Sequence, residues 1–393
     1  MGARLPPLSL YIHVPFCVRK CPYCDFHSTV HQKIPEAAYI EAVKTELTYW
    51  RLRLAEDGRS LHSIFFGGGT PSLLQGESIG TILAQVRHLW PLEPECEITL
   101  ESNPESCTEQ KLSQWLDQGV NRVSLGIQAF DERRLKMLDR PHSLGEARQA
   151  IHLCRQSPLA SLNLDLIFAT PGQTLHSWRA ELLQACSWRP DHLSCYNLTF
   201  EENTPFERQK QAGTMAPLDE DNELELFQAT RHTLEKEGFL PYEFSNFSKP
   251  GHACRHNLNY WRSGDYLGVG PAAHGRLTQP TTGKDHPTDI QILRTINPRS
   301  GYEKGWHNKT PPFSERLCTP EETGIDLLIM GLRLQEGMSR ELYQQLTGQD
   351  LLTKHRKEIE HCQKAGLLTV DEKRIQLTTK GIPLADAILA RLT

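Results

Sequence analysis

The sequence predicts an α/β fold: a parallel sheet covered by helices, followed by a smaller α+β unit. Three observations carry this expectation. Strand-like runs alternate with helical patterns from about Ser9 to about Asn246, the order of successive right-handed βαβ units. A group of three cysteines stands directly after the first strand-like run, where parallel α/β folds place their working loops. Beyond Thr319 the order changes to helices followed by a hairpin.

The elements follow in order. "SLYIHV" is the first strand, and "HSIFF", "ECEITLES", "NRVSLGIQ", "SLNLDLIF" and "DHLSCYNL" are five more. Helices are expected between them over 36–53, 79–89, 109–118, 144–156 and 175–187. The first places Ala37, Ile40, Val43, Leu47 and Trp50 at helical spacing. A long helix over 220–238 and a short strand at "PYEFS" come next. "TQPTTGKDHPTD" is polar and rich in turn formers, so it reads as an exposed loop. In the tail, "TPEETGIDLLIMGLRLQEGMSRELYQQLTG" gives two helices and "LLTKHRKEIEHCQKAG" another. "LLTVDEKRIQLTTKG" gives a hairpin turning at Asp371-Glu372-Lys373.

Composition narrows the function. The chain has 393 residues, enough for two or three domains with a large core. Hydrophobic content is 38% and charged content 23%, which suits a globular protein. A net charge of −5 argues against gripping nucleic acid as the main task. No apolar run reaches membrane-spanning length, leaving at most a peripheral membrane contact. "MGARLPPLSLYIHVP" holds no signal-peptide block, and Pro6 stands where myristoylation wants Ser or Thr. A cytoplasmic protein, monomer or dimer, is the expectation.

Eleven cysteines in a long chain of this kind are not a disulfide framework. Eight are scattered singly: Cys96, Cys107, Cys154, Cys186, Cys195, Cys254, Cys318 and Cys362. Such cysteines serve as small buried hydrophobes. Cys17, Cys21 and Cys24 differ, because they crowd into eight residues. Clustered thiolates in a reducing compartment bind metal. Zinc would need a fourth ligand, with His13, His27 and His31 nearby. A [4Fe–4S] cluster held by three thiolates would instead leave one iron open for chemistry.

Cys17-x3-Cys21-x2-Cys24, with an aromatic Tyr23 before the third thiol, resembles the signature of the radical S-adenosylmethionine (SAM) superfamily. The resemblance implies a partial (β/α)6 barrel. It also implies a [4Fe–4S] cluster whose unique iron is chelated by SAM, with one electron cleaving SAM to methionine and a 5′-deoxyadenosyl radical. "FFGGGTPS" follows the second strand and "TLESNPES" ends the third. Gln128 ends the fourth, "LDRPHS" supplies Arg140, and "NLDLIFATPGQT" supplies Asp165. Taken singly, a glycine run is a tight turn, and Glu101 is a capping or ion-pairing carboxylate. In this order they resemble the branch containing anaerobic coproporphyrinogen III dehydrogenase and the HemW heme chaperones. In that branch the residues matching Tyr11, Tyr23, Gly68, Gly69, Thr70, Glu101, Gln128, Arg140 and Asp165 line SAM sites. Gln128, Arg140 and Asp165 match residues around a second SAM. Ala169-Thr170 departs from the usual Gly-Leu of that branch.

Three features separate the two relatives. The dehydrogenase has a further Cys where this chain has Phe26, and an extension before its cluster motif. "CRHNLNYW" carries His256-Asn257-x-x-Tyr260-Trp261, matching the HNxxYW motif characteristic of HemW. His256 is the expected heme ligand, since a neutral imidazole suits heme iron. Tyr260 and Trp261 offer flat faces to a porphyrin. Read from the residues alone, His256 and Asn257 bond a turn at the barrel end. Cys254 and His274 are weaker heme candidates. No CxxCH occurs, so covalent heme attachment is not expected.

The expected organisation is a radical SAM partial barrel over 1–250, a connecting segment with the HNxxYW motif over 251–319, and a winged-helix-like α+β domain over 320–393. The tail lacks a dense basic stripe, which favours a lid or partner-docking role over DNA. The leading expectation is a heme chaperone that passes heme to an acceptor such as a respiratory cytochrome. The first alternative is oxygen-independent coproporphyrinogen III oxidase, with oxidative decarboxylation of propionates. The second is a zinc-bearing nucleic-acid regulator.

Overall fold

The computed structural model describes residues 5–281, 288–308 and 310–393. Much of "TQPTTGKDHPTD" lies outside them, at 282–287. Six strands carry the first half: β1 Leu8–Val14, β2 Leu61–Gly68, β3 Leu92–Ser102, β4 Arg122–Gln128, β5 Ser161–Phe168 and β6 His192–Asn197. Each is hydrogen-bonded in parallel to the next. A packing helix follows each strand: α1 Glu36–Arg53, α2 Gly76–Leu89, α3 Glu109–Asp117, α4 Leu144–Gln156, α5 Leu175–Ser187 and α6 Glu220–Lys236, with short extra helices at Glu132–Met137 and Pro205–Gln211. This is the expected (β/α)6 repetition. The edges of the sheet do not meet, so it stays open.

Local chemistry sets several of these boundaries. Ser143 and Glu146 form a reciprocal capping box at the start of α4, and Thr174 and Ser177 do so at α5. Thr108 caps α3 and Asp219 caps α6. Trp50, Trp115 and Trp178 are fully buried beneath the helices, in one core with Leu10, Ile12, Phe66 and Leu100.

Around "PYEFS" the strand is broken: Leu240–Pro241 pairs antiparallel with Phe247 and Ser248, residues 242–245 bend between them, and β7 Asn246–Ser248 is also antiparallel to β6. The Glu243 carboxylate causes this by accepting the Ser245 N–H at 2.8 Å and Asn246 Nδ2 at 2.6 Å. A side chain that captures its own backbone offers an alternative to the ladder.

Residues 251–319 do more than connect. The HNxxYW motif lies on helix α7 Arg255–Trp261. After it, β8 Asp265–Val269 pairs in parallel with the free side of β1. Antiparallel strands β9 His274–Pro280, β10 Ile290–Ile296 and β11 Ser314–Leu317 extend that edge. Asp265 pins the join. Its buried carboxylate accepts Arg59 Nη1 at 2.8 Å, Arg276 Nη1 at 3.3 Å, and Thr278 through N at 2.9 Å and Oγ1 at 2.8 Å.

The tail is a separate α+β core. Helices α8 Pro320–Gly331, α9 Arg340–Thr347, α10 Arg356–Lys364 and α11 Ala385–Leu392 surround β12 Met338–Ser339, β13 Leu368–Val370 and β14 Arg374–Leu377. The strands order β12-β14-β13, with the hairpin where it was expected. Leu328, Tyr343, Ile359 and Ile375 fill the core between them.

Removing the Asp265 carboxylate leaves Arg276 buried without its counter-charge. Asp265→Ala is expected to cost about 3–5 kcal/mol, read as a lowered denaturant midpoint. A change within experimental error would refute the pin.

Candidate functional site

The three thiols are placed by the end of β1. Gly69 N–H donates to Val14 O at 2.8 Å, tying the glycine run to that strand. Phe16–Cys17 then pairs in parallel with Thr29–Val30, closing the cysteine loop on itself. Cys24 N–H donates to Cys21 O at 3.1 Å, which turns the loop between the second and third thiols. Cys17 and Cys21 are buried and Cys24 is half-buried. Gly69 is required here: a Cβ would come within 2.7 Å of Phe16 O and 3.0 Å of Cys17 Sγ. Gly68 has φ +117 and packs against the His13 ring, where a Cβ would sit at 2.7 Å.

A cleft of about 780 Å³ opens at the C-terminal ends of the strands. Cys17, Cys21, Cys24, Tyr23, Gly68, Gly69, Thr70, Glu101, Gln128, Arg140 and Asp165 all line it. Arg140 organises one wall. It donates to Cys21 Sγ at 3.4 Å, Tyr23 Oη at 3.3 Å, Asn103 Oδ1 at 2.6 Å and Gly126 O at 3.1 Å. These contacts, with the nearby thiols, hold its charge more firmly than usual despite burial.

Two carboxyls, Glu101 and Asp165, also line the cleft. Burial, then the Asp165 charge, pushes Glu101 up to about 8. Asp165 is also raised by burial, against hydrogen bonds from Ser124 at 2.9 Å and Asn163 Nδ2 at 2.8 Å. Glu101 Oε2 accepts the Gly68 N–H at 3.2 Å. Gln128 closes β4 with φ +66, a conformation that costs a non-glycine residue on the order of 1–3 kcal/mol. Ala169 takes φ +56 at the end of β5. That gives the Ala-for-Gly departure a physical meaning, since glycine adopts this backbone freely.

Two expected site residues lie outside the cleft lining. Tyr11 Oη bonds His13 Nδ1 at 3.0 Å, a layer below the cleft. His256 is 1% exposed and has no nitrogen free for iron in this arrangement. Its Nδ1 is 2.8 Å from Ser63 Oγ and its Nε2 is 2.8 Å from Tyr260 Oη. Ser63 gives its own proton to Ser9, so Nδ1 donates and Nε2 accepts from Tyr260. Burial, then Arg122, pushes the ring down to about 3, so it is neutral. Among the weaker candidates, Cys254 is fully buried with Sγ 3.2 Å from Glu97 Oε1, and His274 opens β9 away from the cleft. His13 spends Nε2 on His27 O at 2.8 Å, so it does not complete a Cys₃His set. Among the described residues, no three His, Cys, Asp or Glu side chains are grouped for a single metal ion.

Several contributors had no sequence signal. Glu97 accepts the N–H groups of Arg255 at 3.0 Å and His256 at 3.2 Å, capping α7 from β3. A buried chain joins α7 to the cleft: Asn257 Nδ2 to Tyr242 Oη at 3.3 Å, Tyr242 to His192 Nε2 at 2.9 Å, His192 Nδ1 to Asn163 Oδ1 at 2.6 Å, then Asp165. Asn103 directly follows the "LES" of β3 and could have been found from that position.

Comparison with known proteins decides the family. The Radical SAM superfamily matches residues 11–184, and the HemN C-terminal domain matches 318–384. The heme chaperone HemW of Escherichia coli is 37% identical over 98% of both chains. The heme chaperone HemW of Haemophilus influenzae is 38% identical over 88% of this chain and 87% of its own. The chain belongs to the HemW family of radical SAM proteins. Radical S-adenosyl methionine domain-containing protein 1, mitochondrial, of Mus musculus is 33% identical over 98% of this chain and 87% of its own. The solved coproporphyrinogen III oxidase HemN of Escherichia coli shares the fold, with TM-score 0.80, 22% identity, and coverage of 99% and 90%.

A radical SAM domain implies a [4Fe–4S] cluster and SAM, and the cleft of this HemW-family chain fits both. Three thiols converge on it, glycine backbone approaches Cys17 where a side chain would block it, and Glu101 stands open on the wall.

Glu101 also sets a pH dependence. Its folded value is raised, so its stabilising share is complete below 4.5 and is lost as pH rises through about 8. Glu101→Gln is expected to melt higher than wild type at pH 8.5 and to bind SAM more weakly. Identical melting curves at pH 6 and pH 8.5 would contradict the buried-carboxyl account.

Proposed function

We propose that this chain binds heme and passes it to an acceptor protein, working in the cytoplasm with a [4Fe–4S] cluster and SAM in its barrel cleft. The observation that carries the reading is near-full-length identity of 37% to a protein named for heme chaperoning. Cys17, Cys21 and Cys24 are the proposed cluster ligands. Tyr23, Gly68, Gly69, Thr70, Glu101, Gln128, Arg140 and Asp165 are the proposed SAM contacts, with Tyr11 supporting them from below. The cluster supplies electrons and an open iron for SAM. The protein's own share is positional. Arg140 neutralises charge beside Cys21, Gly68 and Gly69 present backbone, and Glu101 accepts hydrogen bonds from a diol. A respiratory cytochrome is the proposed acceptor.

His256 is the proposed iron ligand. Its neutral ring suits iron, and ligation requires Nε2 to exchange Tyr260 Oη for the metal. Tyr260→Phe should therefore tighten hemin binding and His256→Ala should weaken it and shift the Soret band. An unchanged spectrum in a folded His256→Ala variant would remove His256 from the site. Anaerobic incubation of the reconstituted protein with SAM, a reductant and coproporphyrinogen III is expected to leave the substrate intact. Formation of protoporphyrinogen would overturn the chaperone reading in favour of the oxidase.

A further inference from the structure

One cleft residue comes from the C-terminal unit and is held as if for a ligand. Arg333, just past α8, lines the cleft together with Ser245, Tyr196 and Asp165. Its guanidinium lies 4.6 Å from the Trp261 ring and 4.9 Å from the Phe244 ring. Its Nη2 donates to Glu243 at 3.1 Å. Glu243 is fully buried, while the arginine side chain is 32% exposed. Nη2 is the one guanidinium nitrogen bonded to the protein among the described residues, and Nε is buried without a partner. Two rings and a carboxylate therefore fix the plane of a cation whose Nη1 stays unspent among the described residues.

The other cations of the cleft differ. Arg140 spends both terminal nitrogens on four contacts, leaving only a buried Nε without a partner. Arg19 is 55% exposed and reaches outward to Asp139 at 2.6 Å, and Lys20 donates to Phe26 O at 3.0 Å. Elsewhere the lining is acidic, through Asp25, Glu101, Asp165, Glu201 and Asp386. An anionic group entering this cleft meets repulsion except near these cations, and only Arg333 combines fixed orientation with free donors.

We propose that Arg333 recognises a carboxylate of the bound ligand, a propionate of a tetrapyrrole. Trp261 and Phe244 act as positioning residues that aim it. The ligand class rests on the heme reading; the role of Arg333 holds whichever atom ligates the iron. A planar fork suits a carboxylate bidentately, and its plane is already set, so less entropy is lost on binding. Tyr196 is 42% exposed and lies in the same lining with Ile167 and Leu198, giving the macrocycle apolar surface. This assigns Trp261 of the HNxxYW motif a task distinct from touching porphyrin.

The test compares hemin with hemin dimethyl ester, which lacks both carboxylates, on the full-length reconstituted protein. Wild type should prefer hemin by about tenfold or more, the worth of a charge-assisted pair. Arg333→Gln should abolish the preference while leaving ester binding unchanged. Because that change strands Glu243, the Glu243→Gln/Arg333→Gln double variant is measured beside it and should behave alike. Arg333→Lys should keep only part of the preference, since an ammonium cannot form the fork. A full preference retained in the folded double variant would overturn the role of Arg333. Absence of hemin binding in wild type would overturn the heme reading itself, which is a separate result.

Discussion

The fold hangs on the pairing of β1 along both of its sides. Leu8–Ile12 is bonded to β8 on one side and to β2 on the other. Such a strand has no slack, because a one-residue slip would turn every side chain to the wrong face. Its end therefore delivers Pro15, Phe16 and Cys17 to one place. From there the chain makes its cysteine loop and returns through Thr29–Val30 to pair with Phe16–Cys17. Asp265 secures the β8 side by gathering Arg59, Arg276 and Thr278 around one buried carboxylate. The placement of Cys17 is thus tied to a contact at the opposite end of the strands.

The interior of the parallel sheet is unusually polar. Ser9, Ser63, Arg122, Asn163, His192 and Ser194 are all buried there. Buried polar groups are tolerable only when bonded, and most of these form one web. Ser9, Ser63, His256 and Tyr260 make one arm; Asn257, Tyr242, His192, Asn163 and Asp165 make another. The HNxxYW helix sits where both arms end. The helix and Asp165 are thus linked by an unbroken run of hydrogen bonds. The same helix carries Trp261, on which Arg333 rests. The motif lies between the cleft and the C-terminal unit, and the bent Tyr242–Ser245 segment joins all three.

How much of this the sequence disclosed follows from where each signal lives. The six parallel strands and their helices were legible because period and capping are local. Ser143 with Glu146 starts α4 where the pattern placed it, and Thr174 with Ser177 does the same for α5. The thiols, glycines, Glu101, Gln128, Arg140 and Asp165 carried local signals: Glu101 and Gln128 stand at strand ends, the thiols and Arg140 follow strands in the chain, and Asp165 lies within β5. What escaped is non-local. The seven-residue α7 has no side-chain cap of its own, since Glu97 caps it from 158 residues upstream. β8 exists as a strand because of β1, which precedes it by some 250 residues of chain. "PYEFS" alternates like a strand, yet Glu243 folds its carboxylate back and bends the chain, so that Leu240–Pro241 pairs with Phe247 and Ser248.

The cleft carries a conflict that the proposed SAM would resolve. Burial and the Asp165 charge raise Glu101's cost of ionisation, burial raises that of Asp165, and Gln128 and Ala169 hold strained backbone. Neither arrangement stabilises the chain. Natural folds keep such features where the surroundings over-determine them and a bound group returns the loss. A diol donating to Glu101 would favour its charged form, and a cation near Asp165 would do the same for the other carboxyl. Sulfonium-bearing SAM supplies both kinds of partner in one molecule. Occupancy by SAM would then relax the wall, and through Asn163 and His192 the relaxation would reach the HNxxYW helix. By thermodynamic reciprocity, whatever binds at that helix must alter the affinity for SAM by the same factor.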